Sequence, residues 1–300
     1  MSRLTVLIAA ALLVAGAAHR AETQALFQAG VDLVAIDICA TDRTGQPVNI
    51  EPNDVAIFDN GVRQQIALLS PGDRVPLAVT LLVDSSESMH GRLLERAGRA
   101  AAALVNLLPD SALVEVMAFN TQPSVLYPMG RDHGLAVEAL ARLSPGGGTA
   151  LYNAIMVALG EQQRAARHRA DTYREVIVLL TDGENTEGRI EFDVVLDEAR
   201  RSGVLVYPVV LPPYDAPSSG PPWTMTQLAL DSGGKVVAAR SSDDLTAIYE
   251  QLASDLRNLY RVGYVPSALA RDGAWHEVQV RAVGRDIVLR TRSGYFAPGS

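Results

Sequence analysis

From Leu77 onward, short unbroken apolar runs alternate along the chain with long amphipathic stretches. Unbroken apolar strands are typically buried on both faces, and strands that alternate with helices form a parallel sheet between two helical layers. The sequence therefore predicts an α/β fold with a doubly wound, mostly parallel sheet and helices on both faces. The predicted strands are 77–83, 113–119, 124–127, 175–181, 204–211 and 235–239. The predicted helices are 89–108, 132–143, 150–169, 192–202, 224–232 and 243–258.

The segments that flank this region have short alternating strands instead of helices. The predicted strands before it are 31–40, 55–58 and 64–69, the last two joined by a hairpin turn. After it, short alternating stretches begin at Leu259 and end in Gly294-Tyr295-Phe296. Because two or three isolated strands are only marginally stable, we expect both flanks to form one small β unit beside the α/β domain.

The first residues have the pattern of an export signal. Arg3 is followed by an apolar stretch from Leu4 to Val14 and by small residues at 15–18. We therefore predict that residues 1–18 are a signal peptide and that the protein is exported, to the periplasm or beyond. The alternative is an uncleaved anchor, but the apolar stretch is shorter than the roughly 20 residues of a spanning helix.

The predicted domain organisation combines these observations. We expect an N-terminal β segment at 27–73, the α/β domain at 74–256, and a C-terminal β segment at 257–298 that packs with the N-terminal one. Cys39 is the only cysteine, so no disulfide joins parts of the chain. The formal net charge of −8 argues against a nucleic acid partner, since binding to phosphates needs basic patches.

Oxygen-bearing side chains follow three of the predicted elements. Asp84, Ser86 and Ser88 come directly after strand 77–83, Thr149 follows a triple glycine, and Asp182 comes directly after strand 175–181. In a doubly wound sheet, ligands bind at the carboxyl ends of the strands, so these side chains can meet. Carboxylates and hydroxyls suit Mg²⁺, Mn²⁺ or Ca²⁺, whereas a zinc or copper site needs histidine or thiolate nearby.

This set of residues resembles the metal-ion-dependent adhesion site (MIDAS) of von Willebrand factor type A domains, written D-x-S-x-S, then Thr, then Asp. The whole layout resembles a group of exported bacterial proteins related to that family. The resemblance implies that Ser86 and Ser88 coordinate a cation directly, that Asp84 and Asp182 do so directly or through water, and that Thr149 joins in one conformation. It brings no enzymatic activity.

The charges of these residues suggest how the site works. Two carboxylates against a divalent cation leave the site formally neutral, so the cation keeps Lewis acidity for an Asp or Glu of a partner protein or peptide. We therefore expect an adhesion or scaffolding module that is not an enzyme and has no small-molecule substrate. The alternatives are a metal-assisted hydrolase and a structural envelope protein whose metal only fixes loops.

Five residues are candidates for a rim that contacts the partner. Glu87 adds a negative charge that can repel or replace the carboxylate of the partner. The simpler alternative is a turn role for Asn120, and for the aromatic residues a mobile loop with inward packing of Trp223 beside the next helix. The candidates are Glu87, His90, Asn120, Tyr214 and Trp223. His90 next to two serines could also indicate acyl transfer, but no orienting acid or oxyanion donors are evident.

Overall fold

A computed structural model describes residues 33–72, 75–169, 172–211, 221–241, 244–266 and 272–298. Its central layer is a six-stranded sheet in the order β10-β9-β8-β5-β6-β7, in which β7 alone is antiparallel to its neighbour. The strands are β5 (Leu77–Asp84), β6 (Leu113–Phe119), β7 (Pro123–Gly130), β8 (Arg174–Thr181), β9 (Leu205–Val210) and β10 (Val237–Ala238).

In the part of the chain that the structure describes, six α-helices cover the two faces of this sheet, as the unbroken apolar strands require. They are α1 (Arg92–Leu107), α2 (His133–Leu140), α3 (Leu151–Arg167), α4 (Phe192–Ser202), α5 (Trp223–Ser232) and α6 (Leu245–Arg257). One apolar core lies between the sheet and α1, α2 and α6, and a second lies between the sheet and α3, α4 and α5. None of the helices among the described residues is long and apolar enough to span a membrane.

The strand order determines where a ligand can bind. The chain leaves β5 toward β6 on one side and later returns to β8 on the other side, so β5 lies at the switch in strand order. β5 is buried along its whole length, β8 is buried except at Glu175, and the two strands run parallel. Their carboxyl ends therefore bring Asp84 and Asp182 to the same edge of the sheet.

The flanks form two four-stranded sheets with orders β13-β1-β11-β4 and β14-β12-β2-β3. A separate apolar core packs between them. The strands are β1 (Val34–Thr41), β2 (Val55–Asp59), β3 (Val62–Gln64), β4 (Ile66–Ser70), β11 (Leu259–Tyr264), β12 (Trp275–Ala282), β13 (Val288–Arg290) and β14 (Gly294–Phe296). The predicted fold class is confirmed, including the small β unit built from both flanks.

The prediction of one return strand over 64–69 was wrong. Residues Val62–Gln64 pair with β2, but after them the chain crosses to the other sheet, where Ile66–Ser70 pair with β11. Ile66 and Leu69 then pack on the core between the two sheets. Two strands that alternate in the same way look like one in the sequence, because the change of partner leaves the period unchanged.

An ion-pair cluster joins the β unit to the α/β domain. The carboxylate of Asp37 on β1 accepts hydrogen bonds from Arg174 Nε at 2.9 Å and from Arg261 Nη2 at 3.0 Å. Arg174 begins β8 and is fully buried, whereas Arg261 lies on β11. Burial acts to raise the pKa of Asp37, but the two guanidinium groups outweigh it and hold that pKa below its usual range.

Candidate metal centre

Asp84 occupies the buried end of the candidate site. Its side chain ends β5 and has no exposure to solvent. Oδ1 accepts hydrogen bonds from the backbone N–H of Ser86 at 2.9 Å and from the Ser86 hydroxyl at 2.6 Å. Oδ2 accepts a hydrogen bond from the hydroxyl of Thr181 at 2.8 Å. The carboxylate is therefore fixed in one orientation by the loop after β5 and by the last residue of β8.

Ser88 and Asp182 continue this arrangement toward the solvent. The Ser88 hydroxyl lies 3.0 Å from that of Ser86 and donates a 2.6 Å hydrogen bond to Asp182 Oδ2. Asp182 Oδ1 accepts from the N–H of Glu184 at 3.2 Å. The structure thus brings four of the five predicted ligands into one hydrogen-bonded series: Asp84, Ser86, Ser88 and Asp182.

The number of hydroxyl protons in this series favours a cation. With both aspartates ionised, the Ser86 proton is donated to Asp84 and the Ser88 proton to Asp182. Each serine hydroxyl has only one proton, so none remains between the two oxygen atoms, although they lie 3.0 Å apart. The lone pairs of the two serine oxygens then face each other beside two carboxylates, and these negative groups repel one another. A positive charge relieves this repulsion.

The environment of Asp84 also disfavours an uncompensated negative charge. Burial raises the pKa of the carboxyl to about 6; hydrogen bonds from Ser86 and Thr181 oppose the shift, and the charge of Asp182 adds to it. Without a cation, a proton on Asp84 supplies the hydrogen atom that the series lacks. Proton and cation therefore compete for the same place.

Thr149 is held beside this series through its backbone. The glycine loop contacts the loop after β5, with Gly146 N–H donating to Ser85 O at 2.9 Å and Glu87 N–H donating to Gly147 O at 3.0 Å. Gly147 has a φ of +77°, and a Cβ there would lie 2.5 Å from Thr121 Oγ1, so this position requires glycine. Thr149 is buried, but it forms no hydrogen bond to the other four predicted ligands among the described residues.

Three residues that support the site were not identified from the sequence. Thr181 fixes Asp84 from β8, as described above. Thr186 accepts a 2.9 Å hydrogen bond from Thr149 N–H and returns one of 2.9 Å from its own N–H to Thr149 O. Asn185 Oδ1 accepts from the N–H of Tyr152 at 3.2 Å and so caps α3. In the sequence, residues 184–186 are typical of a solvated turn, and only their position after Asp182 hinted at this role.

The helix predicted over 89–108 begins later than expected because of the site. Residues Glu87–Met89 form a 3-10 turn, Gly91 takes a φ of +73°, and the α-helix starts at Arg92. This turn directs Ser88 toward Asp182 while Met89 is buried in the core.

The candidate rim residues lie in different surroundings. Glu87 and His90 are exposed, and His90 Nδ1 lies 2.8 Å from Glu87 O. Asn120 contacts the glycine loop, where its carbonyl accepts the N–H of Ala150 at 2.7 Å. Trp223 is 65% exposed and touches Phe192 edge-on, so it does not pack inward. Tyr214 lies outside the described residues.

The donor set fits a hard cation. Among the described residues, no cluster of three or more His, Cys, Asp and Glu side chains is suited to a metal ion. A cation between Asp84 and Asp182 would therefore depend on the hydroxyls of Ser86 and Ser88, beside which the glycine loop holds Thr149. Oxygen ligands of this kind suit Mg²⁺, Mn²⁺ and Ca²⁺.

This chain is similar in sequence or in fold to several known proteins. A curated relative, the uncharacterized protein sll0103 of Synechocystis sp., is 32% identical over 117 residues. The matched segment is 38% of this chain and only 27% of that relative.

Two solved structures share the fold. A von Willebrand factor type A protein from Catenulispora acidiphila aligns with a TM-score of 0.55 and 15% identity, over 83% of this chain and 75% of that chain. Proximal thread matrix protein 1 from the mussel byssus, with a zinc-occupied MIDAS motif, aligns with a TM-score of 0.53 and 16% identity, over 66% of this chain and 49% of its own. The family model for the von Willebrand factor type A domain matches residues 79–184, which run from β5 to the loop after β8. The chain therefore contains a von Willebrand factor type A domain.

Proposed function

We propose that this protein binds a divalent cation at Asp84, Ser86, Ser88 and Asp182, with Thr149 alongside, and uses it to capture a carboxylate of a partner protein. The observation that carries the proposal is the pair of serine hydroxyls 3.0 Å apart whose protons are both donated to carboxylates. When bound, the cation supplies Lewis acidity that attracts one further oxygen ligand.

The residues of the chain determine which ligand is attracted. Only two carboxylates take part, so the loaded site has no formal net charge and an incoming Asp or Glu is not repelled by it. The buried end is closed by Asp84 and Thr181, whereas Ser88 is exposed. A partner must therefore approach from the side of Ser88 and Glu87.

The proposal is a binding module rather than an enzyme. His90 is the histidine that follows the two serines most closely in the sequence, and its Nδ1 lies against the carbonyl of Glu87 in its own turn. This contact supports a structural place for the ring rather than the role of a general base for Ser86 or Ser88. The type A domain is also generally an interaction module, and we propose adhesion or scaffolding outside the cytoplasm, after removal of residues 1–18.

Calorimetric titration tests the cation step. Mg²⁺, Mn²⁺, Ca²⁺ and Zn²⁺ are titrated separately into EDTA-treated protein, with zinc included because the mussel protein holds it in its MIDAS motif. We expect saturable binding of Mg²⁺ or Mn²⁺ to the wild type and none to Asp84→Asn. Ser85→Ala is the matched control, because the Ser85 hydroxyl donates to Phe119 O and not to either carboxylate.

Selection from a phage-displayed library of random dodecapeptides tests the carboxylate step. Phage are bound to the protein in Mg²⁺ and released with EDTA, and the selected peptides are then synthesised with each Asp or Glu replaced by its amide. We expect one acidic residue to be essential in each peptide. Cation binding without any such peptide would contradict partner capture and favour a cation that only fixes the three loops.

A further inference from the structure

A groove of about 480 Å³ lies between α1 and α2. Its lining is mostly apolar and comes from both helices and from the loop after α2. Residues of this lining include Gly91, Leu94, Ala102, Val137, Leu143 and Pro145. Gly98 allows the two helices to approach closely, since a Cβ there would lie 3.2 Å from Leu140 O.

The groove ends at the two loops that carry the candidate metal centre. Gly91 follows Ser88 by three residues, and Pro145 directly precedes Gly146, whose N–H donates to Ser85 O. A chain segment that places a carboxylate near Ser88 can therefore continue into the groove without leaving the surface.

The charges on the two sides of the centre differ in sign. α1 and the end of α2 carry four arginines and two glutamates, of which Glu95 and Arg99 line the groove: Arg92, Glu95, Arg96, Arg99, Glu138 and Arg142. On the opposite side, residues 182–193 contain five acidic residues and one arginine. An acidic partner segment is repelled by the second side and attracted by the first.

We propose that the partner segment runs from the metal centre across α1 and α2 and inserts an aliphatic side chain into this groove. The inference rests on the proposed function and specifies its partner as an acidic segment with an aliphatic residue near the coordinating Asp or Glu. An aliphatic side chain that is buried in an apolar groove is removed from water, and this favours binding.

Variants that fill the groove test this inference on the wild-type background. Ala141 is exposed, lines the groove and follows the last residue of α2, so Ala141→Trp can occupy the groove without disturbing the core. Ala247 is exposed on α6 and lines a separate groove of about 440 Å³ beside β10, so Ala247→Trp is the matched control. Both proteins are titrated with Mg²⁺ and with the synthesised dodecapeptides.

We expect the selected peptides to carry an aliphatic residue within a few positions of the essential acid. Ala141→Trp should weaken peptide binding about tenfold or more, which is the effect of losing one buried aliphatic side chain, and leave Mg²⁺ affinity unchanged. Ala247→Trp should change neither. Arg99→Glu, an exposed change at the rim of the groove, should also weaken the binding of these peptides. Added salt should reduce the difference in peptide affinity between this variant and the wild type.

The outcomes separate this inference from the proposed function. Peptides that are released by EDTA and lost in Asp84→Asn, yet bind Ala141→Trp as tightly as wild type, would overturn the groove and leave the metal-bridged contact standing. Peptides that bind Asp84→Asn as tightly as the wild type would overturn the proposed function. A selection that enriches no peptide in Mg²⁺ counts against both.

Discussion

The hydroxyl of Ser88 donates a 2.6 Å hydrogen bond to Oδ2 of Asp182, across 94 residues of sequence. This contact joins the loop after β5 to the loop after β8 at the exposed end of the hydrogen-bonded series. Because Asp84 and Ser86 are buried and Ser88 is not, the contact marks where the site meets solvent. It is therefore the part of the site whose removal least disturbs the fold.

Replacing Ser88 by alanine should weaken cation binding without unfolding the protein. Ser88→Ala removes one oxygen ligand and the donor that orients Asp182, and loss of an orienting partner typically lowers metal affinity about 10- to 100-fold. Titration with Mg²⁺ measures the change, and circular dichroism checks the fold. Ser85→Ala should bind Mg²⁺ like the wild type; equal affinity of Ser88→Ala would exclude Ser88 from the site.

Cation binding should depend on pH because Asp84 must lose its proton. Burial raises the pKa of this carboxyl to about 6, so a proton competes with the cation below that value. We expect Mg²⁺ affinity to be nearly constant between pH 7 and 8 and to fall by about tenfold per pH unit well below 6. Titrations from pH 8 to 5 measure this, and an affinity that stays flat to pH 5 would show that Asp84 is not a ligand.

The polar residues at the strand ends made much of this site predictable. Asp84 and Asp182 each follow an apolar run that is buried on both faces, and a parallel sheet places such ends together. The support from Thr186 and Asn185 was not predictable, since turn residues have the same composition whether or not they hold a neighbouring loop.

The β unit contains a polar cluster that the sequence does not reveal. Asp59 accepts hydrogen bonds from the hydroxyls of Tyr264 and Tyr295 at 3.0 and 2.8 Å, and its other oxygen lies 2.8 Å from His276 Nδ1. The four residues come from four strands of both flanks. Their proximity depends on which strands pair, and alternation of apolar and polar residues predicts a strand without predicting its neighbours.

Glu115 should make the free energy of unfolding depend on pH. It is buried on β6, accepts a 2.8 Å hydrogen bond from Thr80, and burial raises its pKa to about 7. The folded state thus holds the proton of Glu115 more tightly than the unfolded state. The contribution of Glu115 to the free energy of unfolding therefore rises as pH falls from about 7 toward 4.5.

Replacing Glu115 by glutamine should remove this dependence. Glu115→Gln keeps the acceptor for Thr80 without the charge, and we expect it to raise the free energy of unfolding by up to about 3 kcal/mol at pH 8 and by little near pH 4.5. Urea unfolding at both pH values measures the difference. The exposed Glu138→Gln is the control, and an equal effect of Glu115→Gln at both pH values would contradict the assignment.

Asp37→Asn should destabilise the protein because it removes the carboxylate that Arg174 contacts. Among the described residues, neither Nη atom of Arg174 has a hydrogen-bond partner, so a fully buried guanidinium would lose its counter-charge. Breaking one side of a buried ion pair costs about 3–5 kcal/mol. Asp286→Asn provides the control, since Asp286 pairs with Arg43 at the exposed surface and such pairs contribute at most about 1 kcal/mol. Urea unfolding of both variants compares them, and similar midpoints would show that Asp37 does not hold the β unit against the α/β domain.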